Sequence, residues 1–258
     1  MNKLKISKQD LFVIRQLAHK DKSRENSSSF LGQFWQILNP FINMIVLMLV
    51  FSKIFANEDF INYPMFVATG TMIFDYFSMG TKNSLNALVS NKNFMLKTQL
   101  DKHIYVIERV YVALVNLGYS FLIYLGLMIF FKIPFRWTMV LLIPNLILFS
   151  VFIYSMGKIL AIINVLFADI TYFYQIFTLF LFYGSALFYS PEKVLGVARN
   201  IITLNPVYIA IAISRISLID GRIPGIGLWL KLLIYTLIMF IFSNLIWEKG
   251  VKNIVSKI

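Results

Sequence analysis

Gln36, Asn39 and Asn43 recur at helical spacing inside an otherwise apolar stretch. Residues three and four apart share a helix face, so these amides would present a row of donors and acceptors to one side. That equipment suits the hydrogen-bonding of a hydroxyl-rich ligand and breaks no bond. Asp75 lies in a second apolar run, where an ionisable group costs roughly 2.5–3.5 kcal/mol to insert into a bilayer. A functional acid and a structural polar group both fit it, and a lone acid is a thin basis for proton coupling. Lys158, in a third run, reads as an interface anchor whose stem snorkels toward the headgroups. A direct pair with Asp75 would require neighbouring helices offset by ~15 Å at the rise of an α-helix, and is not expected. Phe173, Phe177, Phe180 and Phe188 follow one face of a later run, with Tyr183 and other tyrosines supplying hydroxyls around them. Aromatic faces beside hydrogen-bonding groups suit sugar rings, which present C–H faces and hydroxyl edges. Helix packing and lipid contact are the competing reading for each ring. Together Trp35, Gln36, Asn39, Asn43, Asp75 and these aromatics form the candidate substrate path.

Other chemistries are excluded by what the chain lacks. It has no cysteine, and His19 and His103 are far apart without metal-ligand spacing, so no metal site is assigned. No Ser/His/Asp set has supporting context, and no catalytic residue is assigned. Gly157-Lys158 is followed by Ile159 inside an apolar run and lacks the glycine-rich loop that cradles phosphates. The chain is therefore not expected to be an enzyme or to hold a cofactor. Energy for any work must come from a gradient or a partner. The net charge of +12 does not imply nucleic acid, because the bases cluster at the edges of apolar runs, where anionic lipid and topology explain them.

The elements that must position these residues follow from hydropathy. At 258 residues, with 59% hydrophobic and 14% charged residues, the sequence describes an all-α, polytopic membrane protein. The mean hydropathy of +0.73 agrees. Six spans of about 20 residues leave only short loops and one excursion, hence a single transmembrane domain over 1–258. Expected spans are Ile37–Phe55, Pro64–Met79 extending toward Lys82, Val106–Phe131, Trp137–Phe167, Ile170–Tyr189 and Ile226–Trp247. Before them, residues 4–20 read as an amphipathic helix in the headgroup layer, with Ile6, Leu11, Val13, Ile14, Leu17 and Ala18 in one arc. Arg15 lies on its polar side and Phe12 breaks the pattern. Segment 190–225 holds two apolar pieces too short to span, separated by Asn205-Pro206 and suited to re-entrant or extracellular helices.

Orientation follows from the bases. Lys3, Lys5, Lys8, Arg15, Lys20, Lys22, Arg24, Lys82, Lys92, Lys97, Lys102, Arg109, Lys249, Lys252 and Lys257 fall on one side. Lys53, Lys132, Arg136, Lys193, Arg199, Arg215 and Arg222 fall on the other. This bias places both termini in the cytoplasm.

Three stretches then carry a family resemblance. SSSFLGQFWQILNPFINMIVLMLVFSKIF, with Leu31-Gly32, Trp35 and Leu38-Asn39-Pro40, resembles the entry to the first span of the polysaccharide-exporting permeases of ABC transporters. Teichoic-acid and O-antigen exporters typify that family. TGTMIFDYFSMGTKNSLNALVSNKNFMLK resembles its second span and coupling loop, through Gly70, Phe74–Phe77, Ser84, Asn91 and Lys97. LFYSPEKVLG through ITLNPVYIAIAISR resembles the region after span five, with Ser190-Pro191 and Leu204-Asn205-Pro206. Departures fall at Ala168-Asp169, where the family often has Arg-Asp, and at Asp101 and Val106, where prolines are usual. The resemblance implies a permease subunit working as two copies with two ATP-binding cassette subunits, which would hold the ATP and Mg. Residues 90–104, with Lys92, Phe94, Lys97, Leu100 and Lys102, would dock on the ATPase. Pro191, Asn205 and Pro206 would belong to short gate-like helices over the outer exit. A lipid-linked polysaccharide would pass between the copies. The alternative within the class is a type-2 permease exporting a drug or small lipid. A lipid-modifying transferase would need a clustered acid, base or metal set, which the sequence does not show.

Overall fold

The computed structural model describes residues 8–26, 35–54, 62–97 and 100–254, all of them helical or connecting, with no strand. The helices in order are α1 (Lys8–Asn26), α2 (Trp35–Ile54), α3 (Tyr63–Leu85), α4 (Ala87–Ser90), α5 (Lys92–Lys97), α6 (His103–Phe130), α7 (Leu142–Leu166), α8 (Ile170–Gly184), α9 (Val197–Leu204), α10 (Pro206–Arg215) and α11 (Ile226–Ile254).

Helix α3 is the centre of the bundle, packed between α6 and α7 and also touching α2, α8 and α10. Pro64 in its first turn presets the helical φ where an amide hydrogen has no intrahelical partner in any case. Its polar residues survive burial because their hydroxyls return to the helix's own carbonyls. Thr69 donates to Met65 O at 2.8 Å, Thr81 to Phe77 O at 2.7 Å and Ser84 to Gly80 O at 2.6 Å. The turn at Ser84 lies so close to α7 that a Cβ on Gly157 would sit 2.7 Å from the serine side chain. Small residues at helix crossings permit this approach where lipid gives no hydrophobic drive to association. Stacked rings of Phe77, Phe149 and Phe152 fill the α3–α7 seam.

One end of the bundle carries α1, α4, α5 and the C-terminal turns of α11. There His103 stacks on Trp247 with centroids 4.6 Å apart, and its Nδ1 lies 2.8 Å from the Tyr154 hydroxyl. Asn164 holds the end of α3 by donating to Leu85 O at 3.0 Å. Helix α1 buries Ile14, Leu17 and Ala18, at i, i+3 and i+4, in a contact with α6. Leu11, expected on that same face, is instead exposed beside Phe12. Residues 4–7 of the expected interface helix, the Ser27–Phe34 approach to α2 and the side chains of Gln36 and Lys97 lie outside the described residues.

The opposite end is built from the α3 start, the turn after α6 and everything between α8 and α11. Helix α8 stops at Gly184 after 15 residues, whereas hydropathy carries the span to Tyr189. The stop is tertiary. Asn205 donates to Gly184 O at 3.2 Å and Ser185 Oγ at 2.9 Å, and accepts from Val207 N–H at 2.9 Å, capping α8 and α10 together. Phe188 consequently leaves the aromatic face of α8 and is buried against Phe182. Helices α9 and α10 meet at 76°. The first lies largely exposed, with Val197 and Ile201 outward, and the second is sunk in the core through Val207, Ile209, Ala210, Ile211 and Ile213.

Among the described residues three helical segments are long and apolar enough to cross a membrane: His103–Phe130, Trp137–Leu166 and Ile226–Val251. The bent α9–α10 pair makes up to four. Helix α3 spans 23 residues but carries Asp75, Lys82 and the hydroxyls above, and α8 at 15 residues is only ~22 Å long. Length and apolarity alone therefore mark only part of the six expected spans. Lys158 also differs from expectation. It is fully buried, hydrogen-bonded to Asn244 Oδ1 and set over the rings of Tyr154 and Phe240, so it does not snorkel. Asp75 is not among its partners.

Candidate functional site

Where α2 crosses α3 and α6, the bundle leaves a cleft of about 430 Å³. Trp35, Asn39 and Asn43 line it from α2, Asp75 and Ser78 from α3, and Asn116 and Ser120 from α6. Asp75 lies ten residues before the end of α3, or ~15 Å along its axis, which sets the cleft near the middle of the bundle. Pro40 also lines it, and sits inside α2. A proline within a helix frees the carbonyl four residues earlier, here that of Gln36.

Two acceptors of the cleft, on Asp75 and Asn116, lack donors among the described residues. The Asp75 carboxylate is exposed to the opening and makes no hydrogen bond or ion pair among the described residues. Asn116 spends its Nδ2 on the weak acceptor Met79 Sδ at 3.1 Å, and its Oδ1 is buried with no partner. Buried acceptors are normally satisfied, so this wall is chemically matched to hydroxyl or amino donors on a ligand. Trp35 adds an apolar ring with an N–H at the mouth.

Four of the expected path residues are thus brought together: Trp35, Asn39, Asn43 and Asp75. The aromatics of α8 are not. Phe173, Phe177, Phe180 and Tyr183 face outward, exposed, because α8 buries only Tyr174 and Thr178 against the bundle. In the coupling region, α5 exposes Phe94, and the ammonium of Lys20 from α1 lies 4.5 Å above its ring. Lys92 is exposed, while Leu100 and Lys102 are half-buried beside Asp101, whose carboxylate accepts from His103 N–H at 3.1 Å. Pro191 is buried in a single 3-10 turn, and Pro206 opens α10 behind the Asn205 cap.

The model of the family described as ABC-2 type transporter matches residues 14–219, most of the chain. The chain belongs to the ABC-2 type transporter family. Its match runs from α1 through α10, and so includes the cleft, the expected coupling region and the far-end helices. Among curated relatives, the O-antigen export system permease protein RfbA of Klebsiella pneumoniae is 24% identical over 222 residues, 83% of this chain and 82% of the relative. A protein of the same description from Myxococcus xanthus is 24% identical over 214 residues, 81% and 80% of the two chains. As an ABC-2 type chain with several long apolar helices, the protein is a multi-pass membrane protein.

Two residues of this ABC-2 chain escape a sequence reading. Asn116 appears only as one amide in a long apolar run, and nothing local pairs it with Asp75. Arg215 counts as an outer-loop base by sequence, yet its side chain is buried and bonded to three carbonyls. Its signal is a charge inside an apolar helix, five residues before the acid that ends the run.

Proposed function

We propose that this ABC-2 chain is the membrane-spanning subunit of an exporter that moves a lipid-linked polysaccharide, of teichoic-acid or O-antigen type, out of the bacterial cytoplasm. A separate ATP-binding cassette subunit, holding ATP and Mg, supplies the energy. The polar cleft in the middle of the bundle carries this reading, since a wall facing only lipid tails has no use for Asn39, Asn43, Asp75 and the unpartnered Asn116 oxygen. The O-antigen export names of the relatives support the same cargo class.

In this reading α2, α3, α6, α7, α8 and α11 all cross the plasma membrane, with both termini in the cytoplasm. Helix α1 lies along the inner surface, with Leu11 and Phe12 toward lipid and Arg15 toward headgroups. Helix α5 and the chain after it dock on the cassette subunit through Phe94, Lys97 and Leu100. Two copies pair so that the outward rings of α8 face the cargo path, and α9 sits over the exit. The Asn39→Leu, Asn43→Leu double variant should cut export by about tenfold or more, the worth of one or two lost hydrogen bonds to cargo, while ATPase activity persists. Export at the full rate would reduce α2 to an anchor.

A further inference from the structure

Arg215 is the last residue of α10, and its guanidinium is enclosed by the bundle. Nε donates to Phe66 O at 3.2 Å, Nη1 to Ala186 O at 2.9 Å and Nη2 to Leu187 O at 2.9 Å. The same group lies 3.3 Å from the Phe66 ring centroid. Carbonyls and a ring surround it in place of a carboxylate. An unpaired cation is costly to bury, so the return must lie in what the fork of donors holds.

It holds a described stretch of chain that has left helical hydrogen bonding. Residues 185–189 connect α8 to the far-end helices, and Ser185, Ala186, Leu187 and Phe188 are buried, so their carbonyls need partners within the protein. Ala186 adopts φ +50°, a conformation unfavourable for any residue with a Cβ, so the turn persists only under outside restraint. Besides the Asn205 amide at Gly184 and Ser185, that restraint comes from two helices. Arg215 on α10 takes the carbonyls of Ala186 and Leu187, and Tyr63 on α3 donates to Phe188 O at 2.8 Å. Helix α3 also makes room for the guanidinium, since a Cβ on Gly70 would stand 2.6 Å from Nη2.

We infer that Arg215 is a positioning residue for transport: its fork latches the turn 185–189, and release of the Ala186 and Leu187 carbonyls moves the end of α8 and α9 when the exit opens. The helices joined by this turn differ in how firmly they are held. Helix α10 is buried on all sides, whereas α8 touches the bundle along a narrow strip and α9 lies mostly exposed. Once the Arg215 bonds are released, the turn is held by Tyr63 and by the Asn205 amide at Gly184 and Ser185, and α8 and α9 are the elements with the least packing to keep them in place. The inference rests on the exporter reading only where export itself is measured.

The chain has no cysteine, so Leu187→Cys places a single thiol at a fully buried position of the latched turn. The full complex with its ATP-binding subunit, in nanodiscs open to reagent on both faces, is treated with a charged maleimide at rest and during ATP turnover. Labelling should be slow at rest and rise severalfold during turnover. Arg215→Lys, which keeps the charge and loses the fork, should raise resting labelling about tenfold, lower export by a similar factor and leave ATPase activity within about twofold. Gly70→Ala, which keeps Arg215 and displaces its guanidinium, should act in the same direction. Equal labelling at rest and in turnover, with Arg215 native, would overturn the latch and leave a static staple. Turnover-dependent labelling without polysaccharide movement would instead contradict the cargo assignment and leave the latch standing.

Discussion

The Lys158 ammonium is wedged between α7 and α11, bonded to Asn244 and lying over the rings of Tyr154 and Phe240. Around it, Tyr154 reaches His103, and His103 stacks on Trp247, so one polar cluster ties the start of α6 to α7 and α11. Removing the amide while keeping the charge leaves an ammonium with ring faces alone. Asn244→Leu should therefore cost ~1.5–3 kcal/mol and lower the melting temperature of the purified protein by roughly 5 °C. Lys158→Met removes the charge and the demand together, and should cost less. The reverse order in a thermal melt would show that the ammonium is not the group being served. None of this is legible in sequence, because Asn244 stands 86 residues from Lys158 and a lone lysine near the end of an apolar run has the same pattern as a snorkelling one. The same blindness explains Arg215. A cation's local sequence records its charge, whereas burial depends on whether distant carbonyls converge on it.

At the scale of elements, hydropathy finds α6, α7 and α11 because each is apolar over its full length. It also places the α9–α10 break, where Asn205-Pro206 acts through local chemistry, a side-chain cap and a preset φ. It overruns α8, since the cap that stops that helix comes from 21 residues downstream. The short helices α4 and α5 are the element that the proposed function charges with converting ATPase motion into transport. They hang between α3 and α6, with Phe94 exposed and touched by Lys20 of α1, so force on α5 has a path to both α1 and α6. The Lys97→Glu, Leu100→Asp double variant should keep the protein folded and the cassette subunit hydrolysing ATP, yet lose most export, as seen by comparing ATPase and export rates in the same vesicles. Normal export in that variant would place the coupling contact elsewhere.

At the scale of the molecule, the polar cleft is legible in part. Trp35, Asn39 and Asn43 share a face of α2 by their spacing, but only the packing of α2 on α3 and α6 joins them to Asp75 and reveals Asn116. The rings of α8 remain outward in a single chain, and a second copy is what the proposal sets against them. The account stands or falls on reconstitution. Proteoliposomes containing this chain and its ATP-binding subunit are loaded with a lipid-linked polysaccharide, and ATP-driven movement of the glycan to the opposite leaflet is followed by its accessibility to a membrane-impermeant lectin. The account predicts movement that requires ATP hydrolysis and both subunits, and that falls with Asn39→Leu, Asn43→Leu. Vigorous ATP hydrolysis by the assembled complex with no movement of the glycan, while a small amphiphile is carried instead, would contradict it.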